Sequence, residues 1–102
     1  MRTYCQFPEI LVPRWLESWN DESWANDATA CSTLLETETG GFRVWVFHDD
    51  VEKREPGFNS RFNVEWVEDF GEMRSEPVLY EGDDEAAAQE AIRAHRELRG
   101  AK

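Results

Sequence analysis

The 102-residue sequence predicts an α+β fold in a single domain spanning 1–102. Its expected parts are an N-terminal helical segment, a three- to four-stranded antiparallel sheet, and a C-terminal helix packed on one sheet face. Three patterns carry this expectation. Apolar residues recur at helical spacing in the first third, period-two alternation governs the middle, and an Ala-rich, capped pattern closes the chain.

The first third is rich in Trp. "TYCQF" reads as a short strand, and Pro8 and Pro13 punctuate the chain beyond it. Pro13 suits the first position of a helix through "PRWLESWN", which sets Trp15, Leu16 and Trp19 on one face. Asn20 and Asp21 then stop that helix or cap a second one through "ESWANDATAC", where Trp24, Ala28 and Cys31 fall at helical spacing. Core packing explains these tryptophans most simply. An exposed one would instead mark an interface anchor.

The middle reads as sheet. "STLLETET" leads into Gly40-Gly41, a two-residue turn signal, and on to "FRVWVFHDD". "EKREPGFNS" is a polar connection. In "RFNVEWVED", Phe62, Val64 and Trp66 share the core side, while Arg61, Asn63 and Glu65 point the other way. Glu68 falls in register with the apolar set, which predicts a bulge or a strand end there. "FGEMRSEP" turns the chain, and "VLYEG" is a short last strand with Pro77 near its start.

The final helix is well specified. Asp83 or Asp84 caps it, Glu85 adds to an acidic first turn, and Arg93, Arg96 and Arg99 crowd its end. Ala88, Ala91, Ile92, His95 and Leu98 form its expected buried face. The α-β-β-β-α order resembles the double-stranded-RNA-binding domain in element order alone. A protein reading RNA backbone needs a basic stripe, and "DDEAAAQEAIR" is acidic where phosphate would sit, so that function is excluded.

Charge is the outlying number. Twenty-two acids against eleven bases leave −11, and nine of the bases are Arg. Such a field repels nucleic acid and anionic membrane and attracts basic surfaces. Solubility, or a salt-adapted or GC-rich source, also produces acidity of this kind. Cys5 and Cys31 are far apart without CxxC spacing, and "MRTYCQFPEILVPRW" lacks the apolar core of a secretory signal. No run reaches the length of a membrane span. These features imply a cytoplasmic protein (the host cytoplasm if phage-encoded) with reduced thiols.

Chemistry-bearing motifs are few. No nucleophile-elbow glycines flank either Cys, "HDD" at 48–50 places neighbouring ligands on opposite sides of a strand, and no loop has calcium-binding spacing. Neither a catalytic centre nor a metal or other cofactor is expected. A hidden enzymatic cleft would have to gather Cys31 with His48 or His95.

The acids instead suggest a surface. If Phe42, Val44 and Val46 face the last helix, the opposite face carries Trp45 and Phe47 beside Glu65, with Glu36, Glu38 and Asp69 around them. Alternatively the N-terminal helices cover Trp45 and Phe47. That arrangement is preferred, because Trp15, Trp19 and Trp24 are natural packing partners. The acidic surface would then lie at strand ends and turns: Asp49 and Asp50, Glu68 and Asp69, and Asp83, Asp84 and Glu85. Both arrangements point to a non-enzymatic inhibitor that occupies the basic site of a nucleic-acid-handling partner protein without binding nucleic acid itself. The type is that of phage-encoded nucleic-acid mimics acting on CRISPR effectors (anti-CRISPR) or restriction enzymes, though no motif carries the likeness. An immunity protein or antitoxin neutralising a basic nuclease has the same physics. A small acidic structural domain is the remaining alternative.

Overall fold

Among the described residues, eight short strands and one α-helix build the fold, with strands in the majority. The computed structural model describes residues 2–27, 29–54, 57–72, 74–75 and 77–100. β1 (Thr3–Tyr4) and β2 (Phe7–Leu11) pair antiparallel as a separate two-stranded sheet. The main sheet contains β3 (Asn20–Asp21), β4 (Ala30–Leu35), β5 (Gly41–Val46), β6 (Phe62–Asp69), β7 (Arg74–Ser75) and β8 (Tyr80–Gly82). Its order is β3-β4-β5-β6, and β7 and β8 both pair with β6, near opposite ends of that strand. Six strands therefore fill five positions, where the sequence suggested three or four strands. Helix α1 (Glu85–Gly100) is the single α-helix among the described residues, and it is not long and apolar enough to cross a membrane.

The expected N-terminal helical segment is absent among the described residues. Only Arg14–Leu16 winds, as one 3-10 turn, and "ESWANDATAC" holds turns followed by the start of β4. Ala28 lies outside the described residues. The reason is tertiary. Leu16 is fully buried, while Trp15 and Trp19 set their ring edges and faces against Phe62 and Phe42. The spacing that resembled a helix stripe is satisfied by residues reaching down onto the sheet. A segment this short gains little from helix propensity alone. Asn20 and Asp21 do not cap a helix; they pair with Thr33 and Ser32 on the edge of β4.

The central hairpin obeys the alternation, with its turn displaced. β4 pairs with β5 from Ala30↔Val46 to Leu35↔Gly41, and residues 36–40 make the connection. Gly41 belongs to the strand. A methyl group on Gly41 would lie 2.1 Å from the Leu34 carbonyl oxygen, and one on Gly40 would lie 2.6 Å from those of Val67 and Glu68. Close backbone approach, rather than a two-residue turn, requires this glycine pair.

One sheet face builds the core. Ala30, Phe42, Val44, Val46, Phe62, Val64 and Trp66 are all buried on it. Two covers share that face. The N-terminal segment contributes Tyr4, Ile10, Val12 and Leu16, and α1 contributes Ala88, Ile92 and His95. Trp15 Nε1 donates to Glu85 Oε1 at 3.0 Å, joining the two covers. Tyr4 and Ser32 share a buried 2.6 Å hydroxyl hydrogen bond. Leu98, expected on the buried helix face, is 72% exposed. Arg96 and Arg99 lie over the Phe42 and Trp66 rings instead, so their stems close that end of the core. In β6, pairing with β7 shifts between Val67 and Asp69, the irregularity that Glu68 predicted.

Candidate functional site on the open sheet face

Alternation that buries Phe42, Val44 and Val46 sends Arg43 and Trp45 to the opposite face, with Cys31, Thr33 and Leu35 beside them on β4. β6 adds Asn63 and Glu65 directly opposite Trp45 and Arg43. Cys31, Thr33 and Glu65 are buried on this face and Arg43 and Trp45 are half-buried, and no residue of α1 or of the Arg14–Leu16 turn lines the clefts on it. The preferred expectation, that N-terminal helices would cover Trp45 and Phe47, is corrected: Trp15 and Trp19 pack on the inner face, while Phe47 is buried, stacked on Phe58 and lining a cavity with Phe7 and Ile10 of β2.

At its centre Arg43 Nε donates to Glu65 Oε1, and Trp45 Nε1 donates to the same oxygen at 3.2 Å. The Arg43 guanidinium also lies 5.0 Å over the Trp45 ring. One carboxylate thus fixes a cation and an indole side by side, and the three side chains hold one another in place.

Trp45 separates two clefts. The larger, about 390 Å³, is bounded by Glu22, Trp24, Asp27, Cys31, Arg43 and Trp45. The smaller, about 250 Å³, lies toward Phe47, Phe58, Asn63 and Val78, and shares Asp27 and Trp45. Trp24 is 60% exposed, and Leu35, Phe58 and Val78 are exposed at the margins of the same face. Four of the seven exposed large apolar side chains among the described residues thus border one surface. Such concentration is what interaction surfaces display.

Charge on this face is unbalanced. Arg43 is committed to Glu65, whereas Glu22 and Asp27 have no ion-pair partner among the described residues. Asp21, on β3 opposite Ser32, is a structural acid. Burial pushes its carboxyl up, but hydrogen bonds from Ser23 and Cys5 outweigh this and hold it below the ordinary value. Cys31 lines the larger cleft with its thiol pushed up to about 12 by burial, which keeps it protonated and a poor nucleophile.

The residues singled out from sequence divide into two kinds. Trp45 and Glu65 meet on the open face. Glu36 does not join them: it lies in the turn after β4 and accepts two hydrogen bonds from Arg96 of α1. Glu38 lies exposed in the same turn. Asp50 accepts from the Glu52 amide, Asp69 from those of Gly71 and Glu72, Asp83 from Arg61, and Asp84 from Ala86 and Ala87. Glu68 accepts from the Trp66 indole and Glu85 from that of Trp15, while Asp49 contacts His48. Asp50, Glu68, Asp69, Asp83, Asp84 and Glu85 thus sit where backbone or indole N–H groups need acceptors. Sequence reasoning missed Glu22, Asp27 and Arg43 as site residues. The available signal was Trp24 flanked by acids in "ESWAND", obscured by the helical assignment.

Binding is the chemistry this arrangement supports. Cys31 points to the outer face, His95 packs between Phe42 and Trp66 on the inner one, and His48 lies beyond β5 against the Asp50 amide. Among the described residues Cys31 therefore does not meet His48 or His95, the pairing a hidden nucleophilic cleft would need. No group of three metal-ligating side chains occurs among the described residues. Comparison with known proteins finds no matching family model, no matching curated protein and no matching solved structure.

Proposed function

We propose that this chain is a non-enzymatic acidic binding protein whose open sheet face occupies the basic, nucleic-acid-binding surface of a partner protein. The observation that carries the reading is the coincidence of exposed aromatics with uncompensated carboxylates. Trp24 and Trp45 border a cleft whose acids Glu22 and Asp27 have no ion-pair partner among the described residues, on a chain of net charge −11. Aromatic anchors supply contact area at low entropic cost, and the negative field steers a basic partner into register. Seven arginines, at positions 43, 54, 61, 74, 93, 96 and 99, already contact carboxylates within the chain, so little cationic surface remains to bind nucleic acid directly.

The test is affinity capture from hosts carrying candidate nucleic-acid-handling defence systems, then competition between this protein and the captured partner's nucleic acid. A captured nucleic-acid-binding protein should be displaced from DNA or RNA, with affinity falling as salt rises. Reversing both Glu22 and Asp27 to Lys should weaken capture by at least about tenfold, or about 1.4 kcal/mol. Capture that persists unchanged in that variant, or a partner that binds no nucleic acid, refutes the reading. A captured nuclease would identify the immunity-protein form of the same interaction.

A further inference from the structure

Resting on that reading and going one step further, we infer that the cleft bounded by Trp24 and Trp45 receives an arginine side chain of the partner. The cleft is about 390 Å³, enough for a guanidinium and its stem. Two indoles, Trp24 and Trp45, are among its lining residues, and so are Glu22 and Asp27. With Arg43 offset by Glu65, the charged groups lining the two clefts leave two net negative charges.

Charge and shape select the occupant. An anion would meet Glu22 and Asp27 without a free cation to receive it. A neutral apolar side chain would desolvate both carboxylates and offer them no donor. A lysine satisfies the charge but presents a compact ammonium that does not stack. A guanidinium is planar, donates in several directions and lies against aromatic faces, so it uses the indoles and the carboxylates together. The same face already holds a guanidinium in this manner: Arg43 rests over Trp45 and on the Glu65 carboxylate. The cleft that Arg43 lines offers further components of the same kind, Trp24 with Asp27 and Glu22. Basic nucleic-acid-binding surfaces are rich in the side chain that fits.

The experiment is an NMR titration of the full chain at low salt with acetylated, amidated hexa-arginine, monitoring the indole N–H signals. Hexa-citrulline, of the same shape without charge, and hexa-lysine serve as comparison probes. Saturable shifts of Trp24 and Trp45 with hexa-arginine, none with hexa-citrulline and weaker ones with hexa-lysine are expected. Trp24→Ala should weaken hexa-arginine binding by about tenfold, and Asp27→Asn by about threefold or more. Trp24 is exposed, so its removal should leave the thermal midpoint in place; Trp24→Phe, which keeps an aromatic face, should recover much of the affinity. If hexa-arginine binds while both indole signals stay still, the arginine cleft is overturned and acidic binding survives. Absence of any hexa-arginine binding overturns both. Indole shifts that appear on raising protein concentration alone would assign the cleft to a second copy and also overturn the inference.

Discussion

Arg43 and Glu65 stand directly opposite each other on β5 and β6, with side chains only 15% and 12% exposed, and the guanidinium rests on the carboxylate. Removing one partner strands the other. Glu65→Ala would leave both the Arg43 guanidinium and the Trp45 indole N–H without this acceptor, so a loss of about 2–3 kcal/mol in urea unfolding is expected. Glu65→Gln retains an acceptor and should cost about 1 kcal/mol. The Arg43→Met, Glu65→Met pair should cost less than the sum of the single changes, as a double-mutant cycle would record.

Gly41→Ala should be among the most damaging small substitutions. Its methyl would lie 2.1 Å from the Leu34 carbonyl oxygen, and β4 and β5 can yield only by parting. A loss of roughly 3 kcal/mol or more, or failure to fold, is expected in denaturant titration. Gly57, at φ +96°, has open space around it, so Gly57→Ala pays only for backbone strain, about 1 kcal/mol. Gly100→Ala, in the last turn of α1 with nothing nearby, should be neutral or slightly stabilising.

Alkaline pH should destabilise the protein. Burial pushes the Tyr4 phenol from its ordinary 10.0 up to about 12, and pushes the Cys31 thiol from 9.0 to about 12. Both folded values exceed the unfolded ones, so the native chain retains protons that the unfolded chain releases. The two contributions are fully present below pH 9 and are lost between pH 9 and 12. Each is on the order of 2 kcal/mol or more by linkage. Urea midpoints measured from pH 7 to 11 should fall above pH 9. Tyr4→Phe should flatten that fall while costing about 1 kcal/mol near neutrality for the lost Ser32 hydrogen bond.

How far the sequence reaches is visible in β6 and in the N-terminal third. In β6, Phe62, Val64 and Trp66 alternate cleanly with Asn63 and Glu65, and both faces are legible directly. The C-terminal helix was legible through its Asp84 cap and Ala-rich face, except at Leu98. Trp15, Leu16 and Trp19 carried a helical period without a helix, because their burial is dictated by Phe42 and Phe62, far along the chain. Two-residue strands such as β3 and β7 are too short to show any period. The site suffered most from this. Trp24, Glu22 and Asp27 were read as part of a helix, and only the outer-face members Trp45 and Glu65 stood out.

Acids that cap turns should be separable from acids that face a partner. Asp84→Ala removes the acceptor for the Ala86 and Ala87 amides and should cost about 1 kcal/mol of stability. Asp69→Ala should act similarly through the Gly71 and Glu72 amides. Both should change hexa-arginine affinity less than Asp27→Asn does. Thermal melts and binding titrations on the same variants check this.

The two covers of the core come from opposite ends of the described chain, and Trp15 touches Glu85 where they meet. On the ribosome, the sheet's inner face therefore emerges long before its second cover does. Phe42 and Trp66 have no helix to receive them until α1 has been made. Final closure of the core then comes late in synthesis rather than strand by strand, and a nascent chain halted before α1 would present an apolar sheet face to chaperones.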